Sequence, residues 1–160
     1  MQVFIDTTNS PTPTDHQVVL DGLRSFNETR GVGTSEPISV LARNRSGDVV
    51  GGLIGRIFAC WLHIELLWLP EHLRGAGIGV LILSRAEHEA RQRGCIGAYL
   101  DTFSFQAPAF YERSGYTIFG TIGDQPPGFE HYFFLKRFND RFHRKDELQQ
   151  PNQDCANGIT

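Results

Sequence analysis

Apolar residues recur along the chain at two spacings, which predict alternating strands and helices. From Val18 to Phe26 they follow one another at helical spacing, so residues 15–30 are predicted to form an amphipathic helix. Thr14 or Asp15 is the expected N-cap residue, because either side chain can accept a hydrogen bond from an amide that has no partner within the helix.

A second helical pattern begins at Ile78 and ends at Gly94, a residue type that is common just after a helix. Short runs rich in β-branched and aromatic residues predict strands where turn residues bound them. In chain order, the predicted strands and the short third helix are QVFIDTT, ISVLARN, VVGGLIGRIFACWL, LHIELLWL, CIGAYLDTF, the helix QAPAFYERSG, YTIFGTIG and HYFFLKRF. Gly51, Gly52 and Gly55 indicate a bulge or a close backbone approach within the third strand.

The order of these elements predicts the fold class. The early strands are joined by tight turns and are expected to pair antiparallel. The segment 62–103 reads strand, helix, strand, and it therefore predicts a parallel pair with a right-handed crossover. The expected architecture is α/β (α+β), with a mixed central sheet of about seven strands and helices on both faces.

Composition and charge indicate the number of domains, the kinds of partner and the expected location of the protein. The chain has 160 residues and is 40% hydrophobic, which suits one domain over 1–138 and a polar, mobile tail over 139–160. Its net charge of −3 provides no positive field for nucleic acid. The apolar runs are too short to cross a bilayer, and the N-terminus lacks the pattern of an export signal, so a cytoplasmic protein is expected.

No residue spacing predicts a metal site. The three cysteines are odd in number and widely spaced, and no CxxC pair occurs, which is typical of a reducing compartment. His63 and Glu65 lie two positions apart, and two ligands without a third do not make a zinc site.

A glycine-rich loop stands between the fourth predicted strand and the second long helix. Gly75, Gly77 and Gly79 alternate there, directly after Arg74. The first backbone amides of a helix have no partner within the helix, and its dipole adds roughly half a positive charge. Because glycine has no Cβ atom, a phosphate can approach these amides closely. The loop therefore predicts phosphate binding rather than a plain tight turn.

Two known phosphate-binding patterns fit this loop poorly. A P-loop needs a Gly-Lys pair, and the chain contains none. In a dinucleotide-binding GxGxxG pattern that starts at Gly75, the third glycine position is occupied by Val80. Asp101 does end the next strand, about where a ribose-binding acid would lie, but only one strand–helix–strand unit is present. A nicotinamide-dependent oxidoreductase is therefore a weaker alternative.

The loop matches a third pattern, Arg/Gln-x-x-Gly-x-Gly/Ala, in full over residues 74–79. At this point the chain resembles the GNAT superfamily of acetyl-CoA-dependent N-acetyltransferases. The stretch SFQAPAFYERSGY is similar to the second signature of that family. The residues that match are Ala107, Tyr111, Glu112, Gly115 and Tyr116, and Ser104 occupies the position of an Asn. The likeness covers roughly residues 1–138.

This resemblance implies a cofactor and the residues that hold it. Acetyl-CoA is the implied co-substrate, with its pyrophosphate on the backbone amides of residues 74–79. Its pantetheine arm is expected along a free backbone edge where the strands 62–69 and 95–103 splay apart. The cofactor-binding residues are expected to be Leu67, Trp68, Leu69, Arg74, Gly75, Ala76, Gly77, Ile78, Gly79, Ser104, Ala107 and Tyr111. A homodimer through the C-terminal strands is a further option that the resemblance implies.

Acetyl transfer to an amine requires a base, a donor to the oxyanion and an acid. The resemblance puts Tyr111 in the position of the acid, and a phenol pKa near 10 suits a thiol leaving group with a pKa near 8.5. A backbone N–H near Leu67 is the candidate oxyanion donor. Glu65 is the leading candidate for the base and His63 the second, because both alternate onto one face of an apolar strand. The structural alternative is that Glu65 pairs with an arginine while His63 packs in the core or at its rim.

The acceptor is expected to be a primary amine of a small molecule, such as an amino-sugar antibiotic, a polyamine or an amino acid. Asn27 and Glu28 near the end of the first helix, and Phe105 in the aromatic C-terminal half, are candidate substrate-binding residues. A protein N-acetyltransferase is one alternative. A sensor that binds acyl-CoA without turnover is another, against which the presence of Tyr111 argues.

Overall fold

The computed structural model describes residues 3–138, which fall into one unit that ends at Thr34 and a second that begins at Ser35. The predicted tail, 139–160, lies outside the described residues. The first unit contains helix α1 (Pro13–Glu28). Its N-cap is Thr12, whose hydroxyl accepts a hydrogen bond from the Asp15 amide at 3.2 Å, and the Asp15 carboxylate accepts one from the Thr12 amide at 2.8 Å.

Two predictions for this N-terminal region are wrong. The described part of QVFIDTT, residues 3–8, forms no strand, because it has no neighbouring strand to take its backbone hydrogen bonds. The N-cap is Thr12 rather than Thr14 or Asp15. Pro13 occupies the first helical position, where its fixed φ and missing N–H favour the helix start, so α1 begins earlier than predicted.

The described part of the second unit is built on one six-stranded sheet, not one of about seven strands. The strands are β1 (Glu36–Arg43), β2 (Val49–Phe58), β3 (Trp61–Trp68), β4 (Gly97–Phe103), β5 (Thr117–Gly123) and β6 (Glu130–Arg137). Their order in the sheet is β1-β2-β3-β4-β6-β5. The predicted parallel pair of β3 and β4 is confirmed, and the other described pairs are antiparallel.

Two helices accompany this sheet. Helix α2 (Ile78–Gln92) connects β3 to β4, and the short α3 (Pro108–Arg113) connects β4 to β5. Side chains at helical spacing on α2 are buried against β1, β2 and β3. They are Ile82, Leu83, Ala86 and Ala90, and the sheet supplies Leu53, Leu62, Leu100 and Phe134, which are almost inaccessible to solvent. Each large aliphatic side chain buried in this way contributes about 1.5–3 kcal/mol to folding.

The parallel strands pair over only part of their length. Backbone pairing runs from Trp61 opposite Gly97 to Ile64 opposite Leu100. β3 then continues to Trp68 and β4 to Phe103 without further pairing between them. The two strands therefore separate, and the opening between them lies toward the glycine-rich loop that follows β3.

A bulge in the β2–β3 ladder lies next to this opening. Gly55 is opposite Ile64 and Ile54 is opposite Leu66, which leaves Glu65 as the extra residue on β3. A Cβ atom on Gly55 would overlap the carbonyl oxygen of His63, so glycine is required by close backbone approach. The sequence-based prediction of a bulge or close approach at these glycines is confirmed.

Replacing Gly55 by Ala is expected to lower the free energy of unfolding by about 1–3 kcal/mol, because backbone of β3 must move to admit the new methyl group. Urea denaturation followed by circular dichroism measures the change. Gly123→Ala is the matched control, since a Cβ atom at Gly123 meets nothing within 4 Å. Equal stability of the two variants would contradict this account of the bulge.

Candidate functional site

A cleft of about 1210 Å³ occupies the opening between β3 and β4. Both separated strand ends line it, together with the glycine-rich loop, the first turns of α2 and the residues of α3. A second cavity, of about 440 Å³, lies between β1 and α2. Three charged residues line it: Arg93, which pairs with Glu89 and also with Glu36, and Arg85, which makes no ion pair with a described residue. The larger cleft contains both the glycine-rich loop and Tyr111, and it is therefore the candidate active site.

The glycine-rich loop forms one wall of this cleft. Gly75 has a φ of +78° and Gly77 a φ of +80°, which L-residues other than glycine rarely adopt. Gly77 is the N-cap of α2 and has no side chain to accept a hydrogen bond. The amides of residues 75–80 have no hydrogen-bond acceptor among the described residues. The loop therefore presents a run of free N–H groups at a helix start, as an anion site requires.

Arg74 fixes the start of this loop. Its Nε donates a hydrogen bond of 2.9 Å to the carbonyl oxygen of Leu69, which ties the loop back to the chain just after β3. Arg74 makes no ion pair with any described residue, so its charge is available at the cleft. The backbone of β3 from Glu65 to Trp68 pairs with no described strand on the side of β4. Leu67, Trp68 and Leu69, the residues predicted to pair with a pantetheine arm, all line the cleft.

Tyr111 lies in α3 with its ring packed against Phe110, Tyr116 and Phe134, at centroid distances of 5.1, 6.0 and 5.9 Å. The residue is 8% exposed and lines the cleft. Its hydroxyl makes no hydrogen bond to a described residue and is not among the fully buried polar atoms that lack a partner. It therefore reaches accessible space. Burial raises the pKa of Tyr111 to about 12, and the negative charge of Asp101 adds to the effect.

The structure places the two candidate bases in different surroundings. Glu65 lines the cleft, and its carboxylate pairs with the guanidinium of Arg56, as the structural alternative anticipated. His63 is stacked on the ring of Tyr99 at 4.5 Å and does not line the cleft. Between these two residues, the geometry therefore favours Glu65 for contact with a substrate.

Only some residues of the second signature motif, which surrounds α3, line the cleft. Ala107 and Phe105 line it. The hydroxyl of Ser104 instead accepts a hydrogen bond of 3.1 Å from the Glu130 amide, and Ser104 is not among the lining residues. Gln106 does line the cleft, where its Oε1 accepts hydrogen bonds from the Thr102 hydroxyl at 2.7 Å and the Phe103 amide at 3.0 Å. Cofactor binding by Ser104 stays a prediction.

Sequence reasoning missed four charged residues of the cleft, namely Glu87 and Lys136, which pair with each other, and Arg113 and Asp101. Arg113 makes no ion pair or hydrogen bond with the described part of the chain, so its guanidinium is free to meet an anion. Arg113 lies within the second signature, SFQAPAFYERSGY, which was the available signal for it. Asp101, considered above only as a ribose-binding acid, lines the cleft from β4.

The remaining predictions concern helix α1, a metal site and a membrane span. Asn27 and Glu28 belong to the last turn of α1 in the first unit, and their role in substrate binding stays a prediction. Within residues 3–138, no three His, Cys, Asp or Glu side chains cluster in a way that would hold a metal ion. No helix in the same range is long and apolar enough to cross a membrane.

Residues 7–116 of this chain match a family model that is described as "Acetyltransferase (GNAT) family". The chain belongs to the GNAT family. The resemblance drawn from the two signatures is thereby confirmed, and this GNAT protein is an acyltransferase enzyme.

Two relatives of known sequence are similar over most of their length. This GNAT chain is 42% identical over 102 residues to blasticidin-S acetyltransferase of Streptomyces morookaense, covering 63% of this chain and 75% of the relative. It is 39% identical over 123 residues to an acetyltransferase of Agrobacterium fabrum, covering 76% of this chain and 90% of the relative. An acetyltransferase crystal structure from Agrobacterium tumefaciens matches with a TM-score of 0.80 and 35% identity, covering 85% of this chain and 100% of that chain.

Proposed function

We propose that this GNAT protein transfers an acetyl group from acetyl-CoA to a primary amine of a small molecule. The observation that carries the proposal is the run of free amides at residues 75–80, which lies at one end of a cleft that Tyr111 also lines. Acetyl-CoA supplies an acetyl thioester and a diphosphate, and the diphosphate suits those amides.

The residues of the loop fit such a group. Gly75 and Gly77 are required by their backbone conformation, whereas Gly79 has no positive φ. A Cβ atom on Gly79 would meet the Phe110 ring at an ordinary 3.4 Å, so no described neighbour demands glycine there. Room for a ligand explains the third glycine. Arg74 and Arg113 add positive charge for the phosphates.

The remaining residues have distinct roles in the proposed reaction. Glu65 takes a proton from the ammonium group of the acceptor through a water molecule, which frees the nitrogen lone pair. The amine nitrogen then forms a bond to the acetyl carbon, and a backbone N–H near Leu67 stabilises the negative charge on the carbonyl oxygen. As the carbon–sulfur bond breaks, the Tyr111 hydroxyl gives its proton to the sulfur, and the second proton that the nitrogen loses on forming the amide returns to the Tyr111 oxygen. With a pKa of about 12, Tyr111 is protonated throughout the neutral range.

One relative supports a small-molecule acceptor. The relative from Streptomyces morookaense is named for acetylation of blasticidin S, a small-molecule antibiotic. Phe105, which lines the cleft, is the acceptor-binding residue proposed for the second unit. Acceptor binding by Asn27 and Glu28, in the last turn of α1, stays a prediction from the sequence. A cytoplasmic location and a homodimer through the C-terminal strands are also part of the proposal.

Acetyl-CoA is expected to stabilise the protein and NADH to leave it unchanged. A ligand at 100 times its Kd stabilises the folded state by about 2.7 kcal/mol, which a thermal melt detects as a higher Tm. The same enzyme is then assayed for thiol release from acetyl-CoA with blasticidin S, putrescine, kanamycin and a lysine-containing peptide. Stabilisation by NADH alone would sink the acetyltransferase proposal in favour of an oxidoreductase.

The assay also separates the alternatives that share the fold. Binding of acetyl-CoA without thiol release for any acceptor would favour a sensor. Release with the peptide and none with the three small amines would favour a protein N-acetyltransferase.

A further inference from the structure

Two carboxylates flank the point at which β3 and β4 separate. The last paired residues are Ile64 and Leu100, so Glu65 and Asp101 are the first to lie across the opening from each other. His63 and Tyr99 are two positions before Glu65 and Asp101 on the same two strands, and they are directly opposite each other. Their rings are stacked, so side chains at these positions meet on one face of the sheet. Both carboxylates line the cleft.

The two carboxylates have different partners. Glu65 pairs with Arg56, and its side chain is 26% exposed. The Asp101 side chain is 46% exposed, and its Oδ2 lies 2.7 Å from Nε2 of His131. The other oxygen of Asp101, Oδ1, has no hydrogen-bond donor among residues 3–138. Asp101 therefore offers a free acceptor at the cleft, whereas Glu65 is already matched by a cation.

His131 is built into the sheet in a way that restrains its imidazole. Its side chain is 11% exposed and lies between Phe103 and Phe133, at ring distances of 4.4 and 4.7 Å. Its Nδ1 is 3.2 Å from the side-chain oxygen of Gln125. Because both ring nitrogens are engaged, His131 is not placed to take a proton from a substrate. It is placed to orient the carboxylate of Asp101.

We propose that Asp101 binds the ammonium group of the acceptor substrate, and that His131 is the positioning residue that holds this carboxylate toward the cleft. The inference rests on the proposed acetyl transfer and adds to it the residue that binds the ammonium group of the acceptor and the residue that orients it. An ammonium group has three N–H donors and a positive charge, which a carboxylate with a free oxygen matches. Asp101 holds the nitrogen from β4, while Glu65 receives one of its protons from β3.

The negative charge of Asp101 also acts on Tyr111, which lines the same cleft. After burial, that charge is the second cause of the raised pKa of Tyr111. The carboxylate thus lies within electrostatic reach of the hydroxyl that protonates the leaving sulfur. A cation bound at Asp101 is thereby positioned in the reaction zone and not on a remote surface.

Asp101→Asn is expected to raise KM for the fastest acceptor of the four named above by about 10- to 100-fold, the usual cost of losing a charge-assisted hydrogen bond. The Kd for acetyl-CoA and kcat at saturating acceptor are expected to stay within about threefold. Glu65→Gln is expected to lower kcat instead. The matched control is Glu130→Gln, which removes the same charge from an exposed residue bonded to Tyr132 and outside the cleft.

The role of His131 is tested by His131→Phe, which keeps a ring between Phe103 and Phe133 but removes the hydrogen bond to Asp101. It is expected to raise the same KM by about three- to tenfold in the wild-type background and not at all in Asp101→Asn, because residues that act through one another are not additive. A structural defect alone would add its effect in both backgrounds.

The outcomes separate this inference from the function on which it rests. Normal wild-type turnover with an unchanged KM in Asp101→Asn would overturn the ammonium site and leave the acetyltransferase intact. Absence of both acetyl-CoA binding and thiol release in the wild type would overturn both. An NMR titration of Tyr111 needs no acceptor: Asp101→Asn is expected to lower its pKa, and an unchanged pKa would contradict the shared cleft.

Discussion

Replacing Tyr111 by Phe is expected to lower kcat by about two to four orders of magnitude, the usual contribution of a positioned general acid. The phenylalanine keeps the ring contacts with Phe110 and Phe134, so neither the fold nor the Kd for acetyl-CoA is expected to change. What is lost is the proton donor for the leaving sulfur. Thiol release under saturating substrates measures kcat, and isothermal titration calorimetry measures the affinity.

Tyr116→Phe is the matched control for this variant. Tyr116 is also buried and contacts Tyr111, but its hydroxyl has no hydrogen-bond partner among the described residues and does not line the cleft. Removing that hydroxyl is expected to leave kcat unchanged and to leave stability equal or higher, because a buried polar group without a partner is unfavourable. Wild-type kcat in Tyr111→Phe would refute the acid role.

Replacing Gly77 by Val is expected to weaken acetyl-CoA binding by about 10- to 100-fold. Gly77 has a φ of +80°, and a β-branched residue in that conformation costs about 1–3 kcal/mol. The loop escapes this strain by changing its backbone, and the amides of residues 75–80 then no longer converge on one anion. Calorimetric titration with acetyl-CoA and with coenzyme A measures the loss.

Gly47→Val controls for backbone strain. Gly47 has a φ of +89° in the turn between β1 and β2, and, as at Gly77, nothing lies within 4 Å of a Cβ atom there. This variant is expected to lose stability and to keep the wild-type Kd. If both variants bound acetyl-CoA equally well, the glycine loop would not be the diphosphate site.

Local sequence patterns predicted the elements that form the cleft. Helix α2 was expected to begin at Ile78, and it does, because the apolar positions from Ile82 to Ala90 repeat at helical spacing. The parallel pairing of β3 and β4 followed from strand, helix and strand in succession. The glycine-rich loop and the position of Tyr111 followed from short motifs whose residues are neighbours in the chain.

The partners of the charged residues could not be predicted from local sequence patterns. Asp101 and His131 are 30 positions apart and meet because β4 and β6 are adjacent in the sheet, although β5 lies between them in the chain. Glu65 meets Arg56 because β2 and β3 are neighbours in the sheet. Which residues pair across a sheet depends on strand order and register, and neither appears in a local pattern.

Periodicity and two motifs were sufficient to assign the helices, the parallel unit and the GNAT family, because each depends on residues close together in the chain. They failed for QVFIDTT, since an apolar run becomes a strand only where another strand can accept its hydrogen bonds. The cleft between β3 and β4, and the presence of both Glu65 and Asp101 in its lining, depend on where pairing stops, which is a property of the assembled sheet.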